Sequence, residues 1–441
     1  MPCRKVFVGP FSIFLTFAAI LANFAPRSFA QEESVIYNFN PAIRDGVGPQ
    51  GNLTFDASGN LYGTTYIGGI HSCGGVVFYC GTAFELSPSK DGGWTEKVIH
   101  NFGNGTDGYG PSAGMVFDSD GNLYGATYQG GAFGYGTVFE LSPTAGGGWS
   151  EKVLHHFNFD GRDGINPVAS LILDGAGNLY GTTLGGGTSD GGSVFELIRA
   201  ADGNFTEKIL HSFVFNGADG LNPYGALVAD ASGNLFSTTS GGGLYGWGMV
   251  FELSPVAGRK WTERILHNFN YNGEDGVQPT SGLAFDAAGN LFGTAAGGVY
   301  NWGAVFELSP GQNGKWTENI LHNFNLRAGD GSNPAGAVTI DASGNLYGST
   351  LSGGLYTYGT VFELTPELSP ELSPAEGGGY SEKILHNFSG TLKSGALDGT
   401  DGREPESAVT LDGAGNLYGT TYQGGAFGGA FGYGTVFEIT P

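Results

Sequence analysis

The chain has 441 residues, 40% of them hydrophobic and 82 of them glycine, with 41 acidic side chains against 18 basic ones and a formal net charge of −23. That balance excludes ligands held by Lys and Arg neutralising phosphates, so neither nucleic acid nor anionic lipid is an expected partner. Length alone would suggest two or three domains, but the chain repeats itself, and the repeat overrides that count.

Residues 1–30 read as a secretory leader: Arg4 and Lys5, an apolar run from Val6 to Ala25, and small residues up to Ala30. An uncleaved anchor is the competing reading, although Pro10, Asn23 and Pro26 interrupt the run. The leader holds three basic residues and no acidic one, so residues 31–441 carry a net charge of −26. No later segment is apolar enough to span a membrane, and a secreted or periplasmic monomer is expected.

After the leader comes a short strand-like stretch, VIYNF at 35–39, and then a phrase that recurs along the whole chain. Its anchor residues are Asp56, Asp118, Asp174, Asp230, Asp286, Asp341 and Asp412, spaced by 62, 56, 56, 56, 55 and 71 residues, the scale of a propeller blade. Within one unit SGLAFD, NLFGTA, AVFELSP and WTENILHNF have strand composition and give four strands, A to D. The A-to-B link, DAAGN from Asp286, is a tight hairpin in which the carboxylate accepts backbone N–H groups. Gly289 and Asn290 suit left-handed conformations there.

Strand D occurs seven times, first at 35–39 and last ending at Phe388, while the last strand C ends at Thr440. The chain therefore opens on an orphan D and closes on a unit that lacks one. This offset predicts an all-β fold: one seven-bladed β-propeller of four-stranded blades over residues 31–441, closed by pairing of the N-terminal strand with the C-terminal blade.

DxxGNLYGTT, a following GG, GTVFELSP and ILHNF together resemble the bacterial GloVer tandem repeat of choice-of-anchor tandem repeat proteins. The DxxGNL core alone also resembles propeller repeats of two-component regulators and NHL proteins. The fuller resemblance covers nearly all of residues 31–441. It implies an exported repeat protein and carries no catalytic residue across. Members named for a choice of anchor have a C-terminal sorting segment, whereas this sequence stops at Pro441. Attachment by that route is not expected.

Cys73 and Cys80, in an insertion confined to the first unit, are expected to form a disulfide in an oxidising compartment. His100, His155, His211, His267, His322 and His386 share one place on strand D, with Tyr37 in the orphan copy. Outer strands of neighbouring blades stand some ~15 Å apart, too far for one metal ring. Each imidazole is expected to hydrogen-bond within or between blades instead.

The D-to-A and B-to-C links open on one face. DGxxP brings Asp45, Asp107, Asp163, Asp219, Asp275, Asp330 and Asp401 there, and the B-to-C links bring Tyr135, Trp247, Trp302, Tyr358 and Tyr433. Rings and acids together suit carbohydrate, and the oxygen-rich loops around Asp163, Asp219 and Asp275 make Ca²⁺ the one cofactor to consider. Ordinary turn chemistry and packing between blades account for the same residues. No HExxH or Walker motif occurs, and GNGTDG at 103–108 joins two strands, so it is no dinucleotide loop. The expected function is non-catalytic binding of a glycan or an extracellular protein through this face. A hydrolase or lyase acting on polysaccharide at the channel mouth, and a structural envelope protein, are the alternatives. The sharpest departures from the repeat are His71 beside the cysteines, GTSDGGS at 187–193 and the long stretch at 390–405. PELSPELSP and GGAFGGAFG look like short duplications.

Overall fold

Strand pairing in the computed structural model joins the two ends of the chain. The structure describes residues 32–441 except 74–77, 258–259, 328, 368–378, 391–400, 429–430 and 441. The leader expected at 1–30 lies outside the described residues, as does most of the 390–405 stretch and of PELSPELSP. Strand Glu32–Asn38 pairs antiparallel with Thr435–Thr440, which pairs with Leu417–Thr421 and, beyond it, Thr410–Leu411. Six further sheets repeat this A-B-C-D order within contiguous chain, so the architecture is the seven-bladed propeller that the strand offset implies.

Blade five shows the plan. Its strands are Ala284–Phe285, Leu291–Gly297, Ala304–Pro310 and Trp316–Asn323. On strand C, Val305, Phe306 and Leu308 are buried, and Phe306 meets Phe269 from blade four with ring centroids 5.3 Å apart, edge to face. The same pair recurs at every junction, from Phe39–Phe84 at the closure, 5.2 Å, to Phe388–Phe437, 5.2 Å. Edge-to-face aromatic burial of this kind is the main apolar glue between blades. Strand B leaves room for it: a Cβ on Gly293 would stand 2.6 Å from the Phe306 ring.

The repeated phrase is a turn. Asp286 Oδ1 accepts the N–H groups of Ala288 and Asn290, and its Oδ2 accepts the Asn290 side-chain amide. Gly289 takes φ +86°, the left-handed conformation. Asn290 does not, contrary to the expectation, because its backbone continues into strand B and its side chain serves the turn instead. In five blades the tyrosine of GNLY donates its hydroxyl proton to the same carboxylate, as Tyr124 does to Asp118 at 2.9 Å. Phe236 and Phe292 stand in for it in blades four and five.

Strand D carries a feature that composition does not reveal. Val305 pairs with His322 but Phe306 with Ile320, so Leu321 is an inserted bulge residue. The bulge turns side chains beyond it to the other face of the sheet. All six other blades have it at the same place, including the orphan strand, where the break falls between Val35 and Tyr37. Glu318 and His322, four residues apart, consequently serve opposite neighbours.

Candidate functional site

Blade seams hold the histidines. His155 Nε2 lies 3.1 Å from Asp163, and the corresponding distances are 2.9 Å for His100–Asp107, 3.4 Å for His211–Asp219, 3.3 Å for His267–Asp275, 3.6 Å for His322–Asp330 and 3.4 Å for His386–Asp401. A glutamate from strand D of the next blade completes the set: Glu207 at 3.6 Å from His155, Glu263 at 3.7 Å from His211, Glu318 at 3.6 Å from His267 and Glu382 at 3.5 Å from His322. Five imidazoles thus hydrogen-bond a local aspartate, as expected, whereas His322 Nε2 has no hydrogen-bond partner, and the bulge lets one strand supply Glu to one seam and His to the next.

Burial and crowding of charge set the electrostatics. Burial, then the charge of Asp275, pushes the Glu318 carboxyl up to about 9. Burial, then the proximity and charge of Asp163, does the same to Glu207, also to about 9. Burial pulls the His322 imidazole down, but the pull of Asp330 and the charge of Glu382 outweigh it and hold the ring above its usual range. In the closing seam Tyr37 donates to Asp45 at 2.7 Å, and burial with the Asp45 charge raises Glu96 to about 8.

Asp163, Asp219 and Asp275 do not face the oxygen-rich loops. Their carboxylates turn inward, accept the N–H groups of Asn158, Val214 and Asn270, and meet the imidazoles. The loop oxygens are occupied by turns: Asp160 caps Arg162 and Asp163, Asn216 caps Ala218 and Asp219, and Asn272 caps Glu274 and Asp275.

The five aromatic residues share a backbone role but not an exposure. The residue before the proline of DGxxP is left-handed in every blade, from Gly48 at φ 64° to Glu404 at φ 57°. Its N–H donates to the carbonyl of Tyr433, Cys80, Tyr135, Gly191, Trp247, Trp302 or Tyr358, at 2.7–2.9 Å, stitching each blade to the one before. Cys80 therefore occupies in blade one the place of the rings elsewhere, and it forms the expected disulfide with Cys73. Tyr135, Tyr358 and Tyr433 pack against clusters between blades, and Arg403 lies over the Tyr358 ring at 5.4 Å. Trp247 and Trp302 remain exposed, at 36% and 41%.

Around Trp247 the exposed rings gather. Tyr271, 56% exposed, lies 5.1 Å from Trp247 with the planes tilted by 33°. Its loop sits between two B-to-C links: Gln278 N–H donates to Trp247 O on one side, and Gly298 N–H donates to Asp275 O on the other. Tyr245 and Tyr300, at 50% and 40%, extend the surface along those links.

The channel is lined by small residues. A cavity of about 280 Å³ there has Gln50, Ser112, Val168, Tyr224, Thr280, Ala335 and Glu406 at equivalent places, one per blade. Glu406 is the single carboxylate among the described lining residues. It accepts from the Gln50 amide at 2.6 Å, and burial raises its pKa. Paired-acid hydrolysis needs a second carboxyl across the bond.

The sequence pattern of the Gloeobacter/Verrucomicrobia repeat matches residues 74–270 and 202–396, together well over half of the chain. The chain belongs to that family. No curated protein matches it in sequence. Among solved structures, it is similar to a luciferin-regenerating enzyme at 14% identity and TM-score 0.41, over 74% of this chain and 90% of that one. It is also similar to a protein of Thermus thermophilus described as an oxidoreductase (glucose dehydrogenase), at 14% identity and TM-score 0.39, over 93% and 100%. Likeness at that level concerns the fold alone.

Sequence reasoning missed the seam glutamates of this repeat protein. The signal was present: Glu stands four residues before the histidine in all six copies, as in EKVIH and ENILH, and Glu33 stands four before Tyr37. On a regular strand the two side chains would share a face, which hides their separate partners.

Proposed function

We propose that this protein is an exported, non-catalytic propeller that recognises a glycan through the aromatic surface of blades four and five. The observation that carries the reading is the exposed Trp247–Tyr271 pair, flanked by Tyr245, Tyr300 and Trp302 on hydrogen-bonded neighbouring loops. An apolar cluster left open on a folded chain is characteristic of a binding surface. Rings with polar edges suit the alternating CH and OH faces of a pyranose. Asn272, Glu274 and Gln278, all exposed beside Tyr271, supply hydrogen-bond partners for hydroxyls. The Cys73–Cys80 disulfide supports an oxidising location, and among the described residues no helix is long and apolar enough to cross a membrane.

A glycan array probed with the purified chain tests this. Saturable binding that a Trp247→Ala, Trp302→Ala double variant loses is the expected result. An array silent to the wild-type chain would reject glycan recognition and leave a protein partner for the same surface.

A further inference from the structure

At the interior seams two carboxyl groups converge on one imidazole nitrogen. The seam of His322 is the barest: His322 Nε2, Asp330 Oδ1 and Glu382 Oε1 are all buried and all lack a hydrogen-bond partner. Asp330 is 6% exposed in its side chain, and the imidazole nitrogen stands 3.6 Å from Asp330 and 3.5 Å from Glu382, beyond good hydrogen-bond range. Two more seams leave the same oxygens unpartnered, Asp163 Oδ1 with Glu207 Oε1 and Asp275 Oδ1 with Glu318 Oε1. In these three seams the aspartate oxygen nearest the imidazole is Oδ2, which also accepts a backbone N–H, while the buried Oδ1 and the glutamate Oε1 that faces the ring are left needing a proton or a cation.

Tetrahedral ligands bound at ~2 Å stand about 3.3 Å from one another. The separations at these seams, 3.1–3.7 Å, bracket that value. From this convergence we infer that the blade seams bind divalent transition-metal ions of the Zn²⁺ class, each held by His and Asp of one blade and Glu of the next. Among the described residues five such groups have their ligand atoms within 4.8 Å of one another: those of His155, His211, His267 and His322, and His386 with Asp401 and Glu33. A nitrogen donor with two carboxylates suits Zn²⁺ and its neighbours, whereas Ca²⁺ wants six to eight oxygens. The chain's net charge of −23 favours capture of a cation. Because the ligands come from two blades, an ion bound there fastens the seam and stabilises the folded ring by mass action. The closing seam is an internal control: the Tyr37 hydroxyl supplies a proton to Asp45, and among the described residues no metal-ligand group forms around it.

This inference stands apart from glycan recognition and has its own test. The purified full chain, stripped with chelator, is loaded with Zn²⁺, passed through gel filtration and assayed for bound metal by mass spectrometry, with Ca²⁺ and Mg²⁺ run in parallel. Several retained equivalents of Zn²⁺, up to the five groups, with a raised melting temperature and no retention of Ca²⁺ or Mg²⁺, is the expected result. Glu318→Gln, close to isosteric, should elute as wild type and hold one equivalent fewer. Tyr37→His should hold one more, by giving the closing seam an imidazole beside Asp45 and Glu96. A chain that retains no Zn²⁺, or whose retention Glu318→Gln leaves unchanged, would overturn the inference and assign the seams to carboxyl pairs sharing a proton.

Discussion

Blade seven and blade five have the same geometry by different routes. Blade five is contiguous chain, whereas blade seven borrows strand Glu32–Asn38 from the other end of the molecule. Both keep the strand-D bulge and both keep the interblade phenylalanine pair, 5.2 Å for Phe39–Phe84 and 5.3 Å for Phe269–Phe306 at the junction entering blade five. They differ in the seam side chain, Tyr37 in one and His322 in the other. Pairing and apolar packing are thus the fixed parts of the repeat, and the polar seam is where its chemistry varies.

Removing the borrowed strand breaks that comparison most severely. Deletion of residues 32–39 leaves blade seven without strand D and exposes the edge of Thr435–Thr440, so the cooperative melt should disappear and light scattering should report association. Phe84→Ala and Phe306→Ala should each cost about 3–5 kcal/mol in chemical denaturation, and equal costs at the two junctions would show that closure packs as well as contiguous chain does. Asp286→Ala removes three hydrogen bonds from an A-to-B turn and should cost about 2 kcal/mol, and Asp412→Ala in blade seven, which also loses the Tyr418 hydroxyl, should cost more.

A pH series sharpens the contrast between seams. Glu96, raised from 4.5 to about 8 by burial and by Asp45, holds a proton in the folded chain that the unfolded chain releases. The folded state binds more protons throughout that window, so this seam's contribution to stability falls as pH rises from 4.5 to about 8. Glu96→Gln should melt with a shallower decline across the window than the wild type, and identical slopes would contradict the assignment. The effect of the disulfide is the most local. It spans a sequence separation of seven in a local insertion, so reduction should lower stability by about 2 kcal/mol and leave the other blades folded.

The architecture was legible because propeller closure writes itself as a strand offset, with an orphan VIYNF at one end and GTVFEIT at the other. The turn behind DxxGNLY was legible too, except that Asn290 serves through its amide rather than a left-handed backbone. The seams were not, because a bulge at Leu321 is invisible in composition and reverses the face on which His322 lies relative to Glu318. Of the five rings, sequence placed all on one face but could not separate Trp247 and Trp302 from Tyr135, Tyr358 and Tyr433. That division depends on neighbours such as Arg403, which lies against both Tyr358 and Phe431.

Whether recognition sits on the aromatic face or in the channel is tested most directly by one calorimetric comparison. The strongest array glycan is titrated into wild type, Trp247→Ala and Glu406→Gln. Lost binding in Trp247→Ala with unchanged affinity in Glu406→Gln is the predicted result. Binding that survives Trp247→Ala and fails in Glu406→Gln would contradict the account and move the ligand to the channel mouth.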